Sequence, residues 1–110
     1  MNEAMPPDGA PAPQAAALSG DAASRTVTIV NRRGLHARAA ARFVKLAAQF
    51  DAQVSVTKRE STVSGLSIMG LMMLAAGPGC DVVLEARGRQ RDEALDALSK
   101  LIAARFDEEE

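Results

Sequence analysis

The sequence predicts a single α+β domain, in which three helices cover one face of a four-stranded antiparallel sheet. Short segments that alternate between apolar and polar residues are typical of half-buried strands, and longer segments with a helical period are typical of amphipathic helices. The two kinds of segment follow one another in the order βαββαβα. Because each strand and each helix has one apolar face, two packed layers bury these faces best. At 110 residues, one small domain accounts for the chain.

Each predicted element has its own local signal. Strands are predicted at residues 25–30, 53–57, 61–64 and 81–87, and a tight hairpin without glycine at 58–60. Helices are predicted at 37–50, 67–76 and 91–106, the second ending at a Gly-Pro-Gly turn, 77–79. The apolar side chains on the inward faces form the expected core: Val27, Ile29, Ala40, Phe43, Val44, Ala47, Phe50, Val54, Val56, Leu71, Leu74, Val82, Leu84, Ala86, Leu95, Leu98, Leu101 and Ile102.

The two ends of the chain are expected to lie outside the folded core. Residues 1–24 combine many alanines with four prolines and show no apolar period, which is typical of a disordered tail. A dispensable extension and a segment that recruits a partner are both consistent with this composition. The folded domain is therefore predicted at 25–110, and its acidic end, 107–110, is expected to fray.

Composition excludes several classes of protein. A single cysteine, Cys80, excludes an internal disulfide and a cysteine-based zinc cluster, and is expected to be a buried or half-buried small residue. No lysine or arginine precedes Arg25, so the chain lacks the basic start of a secretory signal. No apolar run approaches the length that spans a membrane. We therefore expect a cytoplasmic protein that needs neither metal nor cofactor.

Charge is distributed unevenly along the chain. Residues 25–59 hold eight lysines and arginines and one acid, whereas seven acids and two bases follow from Asp92 onward. The first half of the domain is therefore a basic patch that would attract acidic partners or anionic groups.

His36, the only histidine, lies within this patch, between a predicted strand and a predicted helix. The start of a helix presents free backbone N–H groups, which favour an anion. Four arginines lie nearby, at positions 32, 33, 38 and 42. Imidazole, with an ordinary pKa near ~6.5, is a nucleophile at neutral pH and can carry a phosphoryl group. The residues alone leave a second interpretation open, in which His36 is a surface residue or a helix cap.

Two stretches resemble the motifs of one family. Residues 34–40, GLHARAA, resemble the active-site signature of HPr, the histidine-containing phosphocarrier family of the phosphoenolpyruvate-dependent phosphotransferase system (PTS). Residues 67–74, SIMGLMML, resemble the regulatory-serine motif of that family, and the spacing of 31 residues from His36 to Ser67 matches it. The likeness extends over residues 25 to about 106 and implies an HPr-like open-faced β-sandwich, the architecture predicted above.

The resemblance implies a phosphocarrier that is not itself an enzyme. His36 would accept a phosphoryl group on Nδ1 from enzyme I and pass it to an enzyme IIA protein, and Arg38 would assist the transfer. Ala39 departs from the family, in which proline is common at this position and suits the first turn of a helix. The departure affects the turn and removes no chemical group.

Ser67 precedes a predicted helix, so its local role is that of an N-cap. The resemblance adds a regulatory role, in which an HPr kinase/phosphorylase phosphorylates Ser67 and thereby weakens acceptance of phosphate at His36. A phosphate would add about −1.5 to −2 charges beside the surface on which partners dock.

Two surfaces are candidates for docking. Arg38, Arg42, Lys45 and Gln49 share one face of the first helix, which is either a solvated face or a docking surface. Residues 68–76 contain no charged side chain, so a helix there cannot bury every face in a domain this small. We expect the side chains of Ile68, Met69 and Met72 to stay exposed, where flexible methionines suit several partners.

Three alternative hypotheses for the function were considered. A phosphocarrier could serve a regulatory nitrogen or metabolic branch instead of sugar uptake. A non-phosphorylated α/β binding module, with His36 as a cap, is less favoured because no polar pocket is evident. An RNA-binding sheet is disfavoured because Phe43 and Phe50 fall on a buried helix face instead of the sheet. No nucleic acid is therefore expected as a partner, and we expect a monomer.

Overall fold

Four strands and three helices alternate along the chain in the predicted order, βαββαβα. The computed structural model describes residues 22–108. The strands are β1 (Ala22–Thr28), β2 (Gln53–Lys58), β3 (Ser61–Ser64) and β4 (Asp81–Arg87). The helices are α1 (Ala37–Ala47), α2 (Ile68–Met73) and α3 (Arg91–Ala103). A short 3₁₀ segment, Arg105–Asp107, follows α3, and we call it the C-terminal turn.

The strands form one antiparallel sheet in the order β1-β4-β2-β3. Because side chains alternate across a strand, Val54 and Val56 of β2 share a buried face with Val82, Leu84 and Ala86 of β4. All five were assigned to the core from their alternation. The predicted fold, an α+β open-faced sandwich, is confirmed.

The helices cover this face with aliphatic and aromatic side chains. Phe43 of α1 and Leu98 of α3 are almost fully buried, and α1 packs against both other helices while α3 packs against β1 and β4. Full burial of a side chain of this size contributes about 1.5–3 kcal/mol. The remaining helix positions that are buried are Ala39, Ala40, Ala47, Leu71, Ala94, Leu95 and Ile102. Among the predicted core residues, those at the margin are half-buried: Val27, Val44, Phe50 and Leu101.

The first strand begins earlier than predicted. It spans Ala22–Thr28 instead of 25–30, so residues 22–24, which composition assigned to the tail, lie in the sheet. Ala22 pairs with Arg87, the last residue of β4. Pairing with a distant strand, which local composition does not report, therefore decides this boundary. The rest of the predicted tail, 1–21, lies outside the described residues.

All three helices end earlier than predicted, at Ala47, Met73 and Ala103. Ala75 adopts a left-handed φ of 52°, which ends the helical path after α2. Lys58 Nζ donates to the carbonyls of Leu74 (3.0 Å) and Ala75 (3.2 Å), and so satisfies acceptors just beyond the helix. This side chain comes from another element, so the helical period could not reveal it.

The loop between β2 and β3 is one residue shorter than the predicted 58–60, because Lys58 belongs to β2. Lys58 pairs with Ser61, which leaves Arg59 and Glu60 as the two-residue loop. Two-residue hairpin loops favour positive φ angles, and Arg59 supplies one at 57° although it is not a glycine.

Candidate functional site

The site is built on residues 31–36, the His36 loop, which connects β1 to α1. Gly34 has a φ of +66°, and a Cβ there would lie 2.4 Å from the carbonyl oxygen of Ala76. Only glycine fits this position without displacing the backbone. The N–H of Leu35 donates to the same carbonyl at 2.9 Å, so the loop is fastened to the segment that follows α2.

The loop places His36 at the N-cap of α1. Its backbone is extended (φ −77°, ψ 178°), and its side chain makes no capping hydrogen bond. The first helical hydrogen bond runs from Ala40 N–H to His36 O at 2.8 Å. The amides of residues 37–39 precede that bond, and such leading amides have no acceptor within their own helix. The imidazole therefore stands at the positive end of an 11-residue helix and is not used to cap it.

A cavity of about 390 Å³ opens beside the imidazole. Seven residues line it: Arg32, Arg33, His36, Arg38, Arg42, Asp107 and Glu108. The structure thus brings together the histidine and the four arginines that the sequence identified. Guanidinium groups are strong, geometrically specific partners of phosphate. The cavity is suited to hold an anion next to the imidazole.

Glu108 is the residue of this site that the sequence analysis missed. One of its carboxylate oxygens, Oε2, contacts Nε2 of His36, and the two side chains are 11% and 17% exposed, respectively. Its other oxygen, Oε1, accepts a hydrogen bond from Asn31 Nδ2 at 3.1 Å. Of the acidic end that was expected to fray, Asp107 closes the C-terminal turn and Glu108 follows it. Residues 109–110 lie outside the described residues.

The C-terminal turn brings Glu108 to the imidazole. Arg105, Phe106 and Asp107 all have left-handed φ angles, of 59°, 55° and 61°. Such angles are strained in L-residues and persist only where the surroundings enforce them. Phe106 is fully buried, and its carbonyl accepts a hydrogen bond from Arg42 Nη1. Burial of this ring offsets the strain, and the chain turns back across the His36 loop.

The local sequence carried a weak signal of this turn. Phe106 follows Ile102 at helical spacing, so the apolar period extends the predicted helix through it, and four acids in a row then indicate a solvated end. Asn31, which is fully buried and donates to both Gly34 O (2.9 Å) and Glu108, was likewise not identified. A buried asparagine is a signal only once its burial is known.

The surroundings of Glu108 favour its ionised form. Burial by itself raises the pKa of this carboxyl, but the hydrogen bonds to His36 and Asn31 and the positive charges of His36 and Arg33 lower it by more. Its pKa is therefore held below the usual value, and the group is a carboxylate at neutral pH.

Ser67 lies outside the cavity and is the N-cap of α2, as predicted. Its Oγ accepts a hydrogen bond from Gly70 N–H at 2.9 Å. The bond between Leu35 and Ala76 fastens the His36 loop to the segment after α2, so Ser67 lies at the far end of that helix. Six helical residues span roughly 9 Å. An effect of Ser67 on His36 would therefore act through the surface on which partners dock, and not through direct contact between the two side chains.

The surface of α2 is apolar, as its composition indicated. Leu71 and Leu74 are buried, whereas Ile68, Met69 and Met72 are 41%, 70% and 40% exposed. Two neighbours that were not identified, Leu66 and Met73, are exposed as well. We call the five exposed residues the apolar patch. On α1, Lys45 is exposed, while Arg42 is half-buried beneath the C-terminal turn. Gln49 is exposed but lies beyond the end of α1, so it does not belong to the helix face on which it was predicted.

Cys80 is a half-buried thiol. Within residues 22–108, no group of three or more metal-ligating side chains could hold a metal ion, and no helix is both long and apolar enough to cross a membrane.

An imidazole at a helix start, facing a cavity rich in arginine, is typical of a small domain that binds an anionic group. A family model described as the PTS HPr component phosphorylation site matches residues 23–104. The chain belongs to the HPr family of phosphocarrier proteins of the PTS. Members of this family are phosphocarriers rather than catalytic enzymes, as the motifs predicted.

Relatives of known identity resemble the chain over most of its length. The phosphocarrier protein HPr of Pseudomonas aeruginosa is 55% identical over 85 residues, which cover 76% of this chain and 94% of the relative. The phosphocarrier protein NPr of Shewanella violacea is 45% identical over 84 residues, covering 76% and 92%. The crystal structure of HPr-C-His from Thermoanaerobacter tengcongensis superposes with a TM-score of 0.76 at 43% identity, covering 80% of this chain and 99% of the other.

Proposed function

We propose that His36 accepts a phosphoryl group on Nδ1 from phospho-enzyme I and passes it to an enzyme IIA protein. The observation that carries this proposal is the imidazole at the start of α1, beside a cavity lined by four arginines. Nε2 already contacts Glu108, so Nδ1 is the ring nitrogen left to attack phosphorus.

The charges around His36 suit a phosphoryl group in transit. Phosphoryl transfer depends mainly on positioning and on stabilising the charge of the transferred group. The leading amides of α1 and the Arg38 guanidinium, which lines the cavity from the first turn, supply donors for the phosphoryl oxygens. A charge at a helix N-terminus is worth roughly 0.3–2 kcal/mol, which favours phosphorylation without making it irreversible.

Labelling from phosphoenolpyruvate tests the proposal. With enzyme I present, we expect one acid-labile phosphate per chain, and none in His36→Ala, whose fold is checked by circular dichroism. In the same assay Arg38→Ala should accept phosphate at least about 10-fold more slowly, since it removes a charged donor worth about 1.5–3 kcal/mol. Arg89→Ala is the matched control, because Arg89 is exposed and pairs with Asp51 instead of lining the cavity. A label retained by His36→Ala would refute the assignment.

We also propose that Ser67 is a regulatory phosphorylation site for an HPr kinase/phosphorylase. Its support is the resemblance of residues 67–74 to the family's serine motif, together with the position of the hydroxyl beside the apolar patch. A phosphate there would set about −1.5 to −2 charges next to an otherwise uncharged surface.

The docking surface proposed for enzyme I and the enzyme IIA proteins combines the basic face of α1 with the apolar patch. Lys45 is exposed and Arg42 half-buried on α1, and Ile68, Met69 and Met72 are exposed on α2. Since α1 and α2 pack against each other, one partner surface can span both. We retain the expectation of a cytoplasmic monomer. Whether the phosphate serves sugar uptake or a regulatory branch is decided by incubating labelled protein with each enzyme IIA of the source organism.

A further inference from the structure

Lys58 is a charged residue at a core-facing position of the sheet. The alternation of β2 places it on the same face as Val54 and Val56, which are both buried beneath the helices. Lys58 itself is half-buried at the end of this strand. A charge in such surroundings needs polar partners, because its loss of water is otherwise costly.

The partners of Lys58 are two backbone carbonyls that follow α2. Its Nζ donates to the carbonyl oxygen of Leu74 at 3.0 Å and to that of Ala75 at 3.2 Å. These carbonyls lie at the negative end of the helix, where a cation is favoured. An ammonium has three donors, so it can serve both acceptors at once. Lys58 thus joins the sheet to residues 74–76, which we call the exit segment of α2.

The exit segment contains a strained residue between the two carbonyls. Ala75 has a left-handed φ of 52°, which costs energy in a residue with a Cβ and persists only where the surroundings enforce it. The carbonyl of Leu74 belongs to the peptide group before Ala75, and the carbonyl of Ala75 belongs to the peptide group after it. Lys58 therefore holds the peptide groups on both sides of the strained residue.

The exit segment in turn holds the His36 loop. The carbonyl oxygen of Ala76 accepts a hydrogen bond from Leu35 N–H at 2.9 Å, and both residues are buried. The same oxygen would lie 2.4 Å from a Cβ at Gly34, so the loop and the exit segment are in close backbone contact. His36 follows directly, and its N–H donates to Gly34 O at 2.9 Å. The position of the Ala76 carbonyl therefore sets the backbone from which the imidazole projects.

We infer that Lys58 is a positioning residue for phosphorylation of His36. Its ammonium fixes the conformation of Ala75 and thereby the Ala76 carbonyl that fastens the His36 loop. Lys58 is not one of the residues that line the cavity, so it acts through the loop and not through its charge on the phosphoryl group. It exchanges no proton and forms no covalent bond in this role. The inference rests on the proposed function of His36.

Four variants of the full-length chain separate the hydrogen bonds from other effects of the side chain. Lys58→Met removes the donors and keeps an unbranched apolar side chain, which suits the core-facing position. Lys58→Gln is a second variant without the charge, and Lys58→Arg keeps a charged donor. Lys100→Met is the matched control, because Lys100 is an exposed lysine in the last turn of another helix, α3. Circular dichroism and denaturant unfolding check the fold of each.

Amide hydrogen exchange of the unphosphorylated protein tests the connection to the loop. The amide of Leu35 should exchange about 10-fold faster in Lys58→Met and Lys58→Gln than in Lys100→Met, because the acceptor at Ala76 is no longer held in place. In Lys58→Arg its exchange should resemble that of the wild type, and the amides of α3 should be unchanged in every variant. Exchange that rises equally in α3 would show a general loss of stability and would contradict the inference.

Single-turnover labelling from ³²P-labelled phospho-enzyme I tests the role in transfer. Lys58 lies outside the proposed docking surface, so the concentration that gives half the maximal rate should stay within about 2-fold of that for Lys100→Met. The maximal rate constant should fall about 10-fold in Lys58→Met, since even a small displacement of a reacting group is costly. Lys58→Arg should recover a rate within about 3-fold of the wild type, because it restores a charged donor.

The outcomes separate this inference from the proposed function. Equal maximal rates in Lys58→Met and Lys100→Met, with His36 labelled in both, would overturn the positioning role alone. So would a change confined to the half-saturating concentration, or a rate in Lys58→Arg as low as that in Lys58→Met. A wild type that takes no label, or a label retained by His36→Ala, would instead overturn the proposed function, whatever the exchange of the Leu35 amide shows.

Discussion

Two helices of this domain begin at residues that the sequence singled out, and the two starts are built differently. α1 follows His36, whose side chain makes no capping hydrogen bond, whereas α2 follows Ser67, whose Oγ accepts from Gly70 N–H. The imidazole is left free to meet Glu108, but the hydroxyl already has a structural partner. Modification of the His36 side chain would therefore leave the hydrogen bonds at the start of α1 unchanged. Modification of the Ser67 hydroxyl would alter the capping hydrogen bond at the start of α2.

The two helix starts also differ in the charge of their surroundings. His36 faces a cavity lined by four arginines, and Ser67 adjoins the uncharged apolar patch. The arginines would balance a negative charge at His36, whereas the apolar patch offers no positive charge to balance one at Ser67. One chemical modification, phosphorylation, would thus be accommodated at α1 and would disturb the docking surface at α2.

The largest effect that sharpens this contrast is expected from Ser67→Asp. Aspartate is a good N-cap, so α2 should persist while a negative charge appears beside the apolar patch. We expect phosphorylation by enzyme I to slow about 10-fold, as for a like charge introduced into a docking surface. The assay is the initial rate of labelling, and Ser61→Asp, on an exposed position of β3, is the control. A rate equal to that of the control would argue against an inhibitory role for Ser67.

A smaller effect is expected from Ser67→Ala, and it concerns stability. Loss of the bond from Gly70 N–H should lower the free energy of unfolding by about 1 kcal/mol, the usual cost of removing an N-cap. Denaturant unfolding measures it, with Ser61→Ala as reference. Ser67→Thr, which keeps an acceptor oxygen, should recover most of the loss. If Ser67→Ala were as stable as Ser61→Ala, the cap would contribute nothing.

The smallest effect is expected in the pH dependence of stability near His36. A carboxyl whose pKa is lowered on folding stabilises the folded state above its unfolded pKa, and this contribution disappears as pH falls through the folded value. The pKa of Glu108 is lowered from a usual value of 4.5, so the stability difference between wild type and Glu108→Gln should shrink as pH falls below about 4.5. Thermal unfolding from pH 3 to 7 tests this, and Glu93→Gln is the control. A difference that grows toward low pH would contradict the assignment.

Much of this site could be predicted because its parts are neighbours in the chain. His36, Arg38 and Arg42 lie within seven residues at the start of one helix, so the motif and the helical period are enough to place them on the same element. Ser67 was recognised as an N-cap for the same reason. Arg42 differs from the prediction in one respect. Its guanidinium donates a hydrogen bond to the carbonyl of Phe106 instead of being fully exposed on the helix face.

The sequence by itself determined the α+β class, the order βαββαβα, and the histidine motif at the start of α1, because local periodicity and short-range backbone chemistry encode them. Only the tertiary structure decided the strand order β1-β4-β2-β3, the early start of β1 and the arrival of Glu108 at Nε2 of His36. The physical reason is sequence separation: the imidazole and its carboxylate are 72 positions apart in the chain. The burial of Phe106 in a left-handed turn brings them together, and no local pattern reports such a contact.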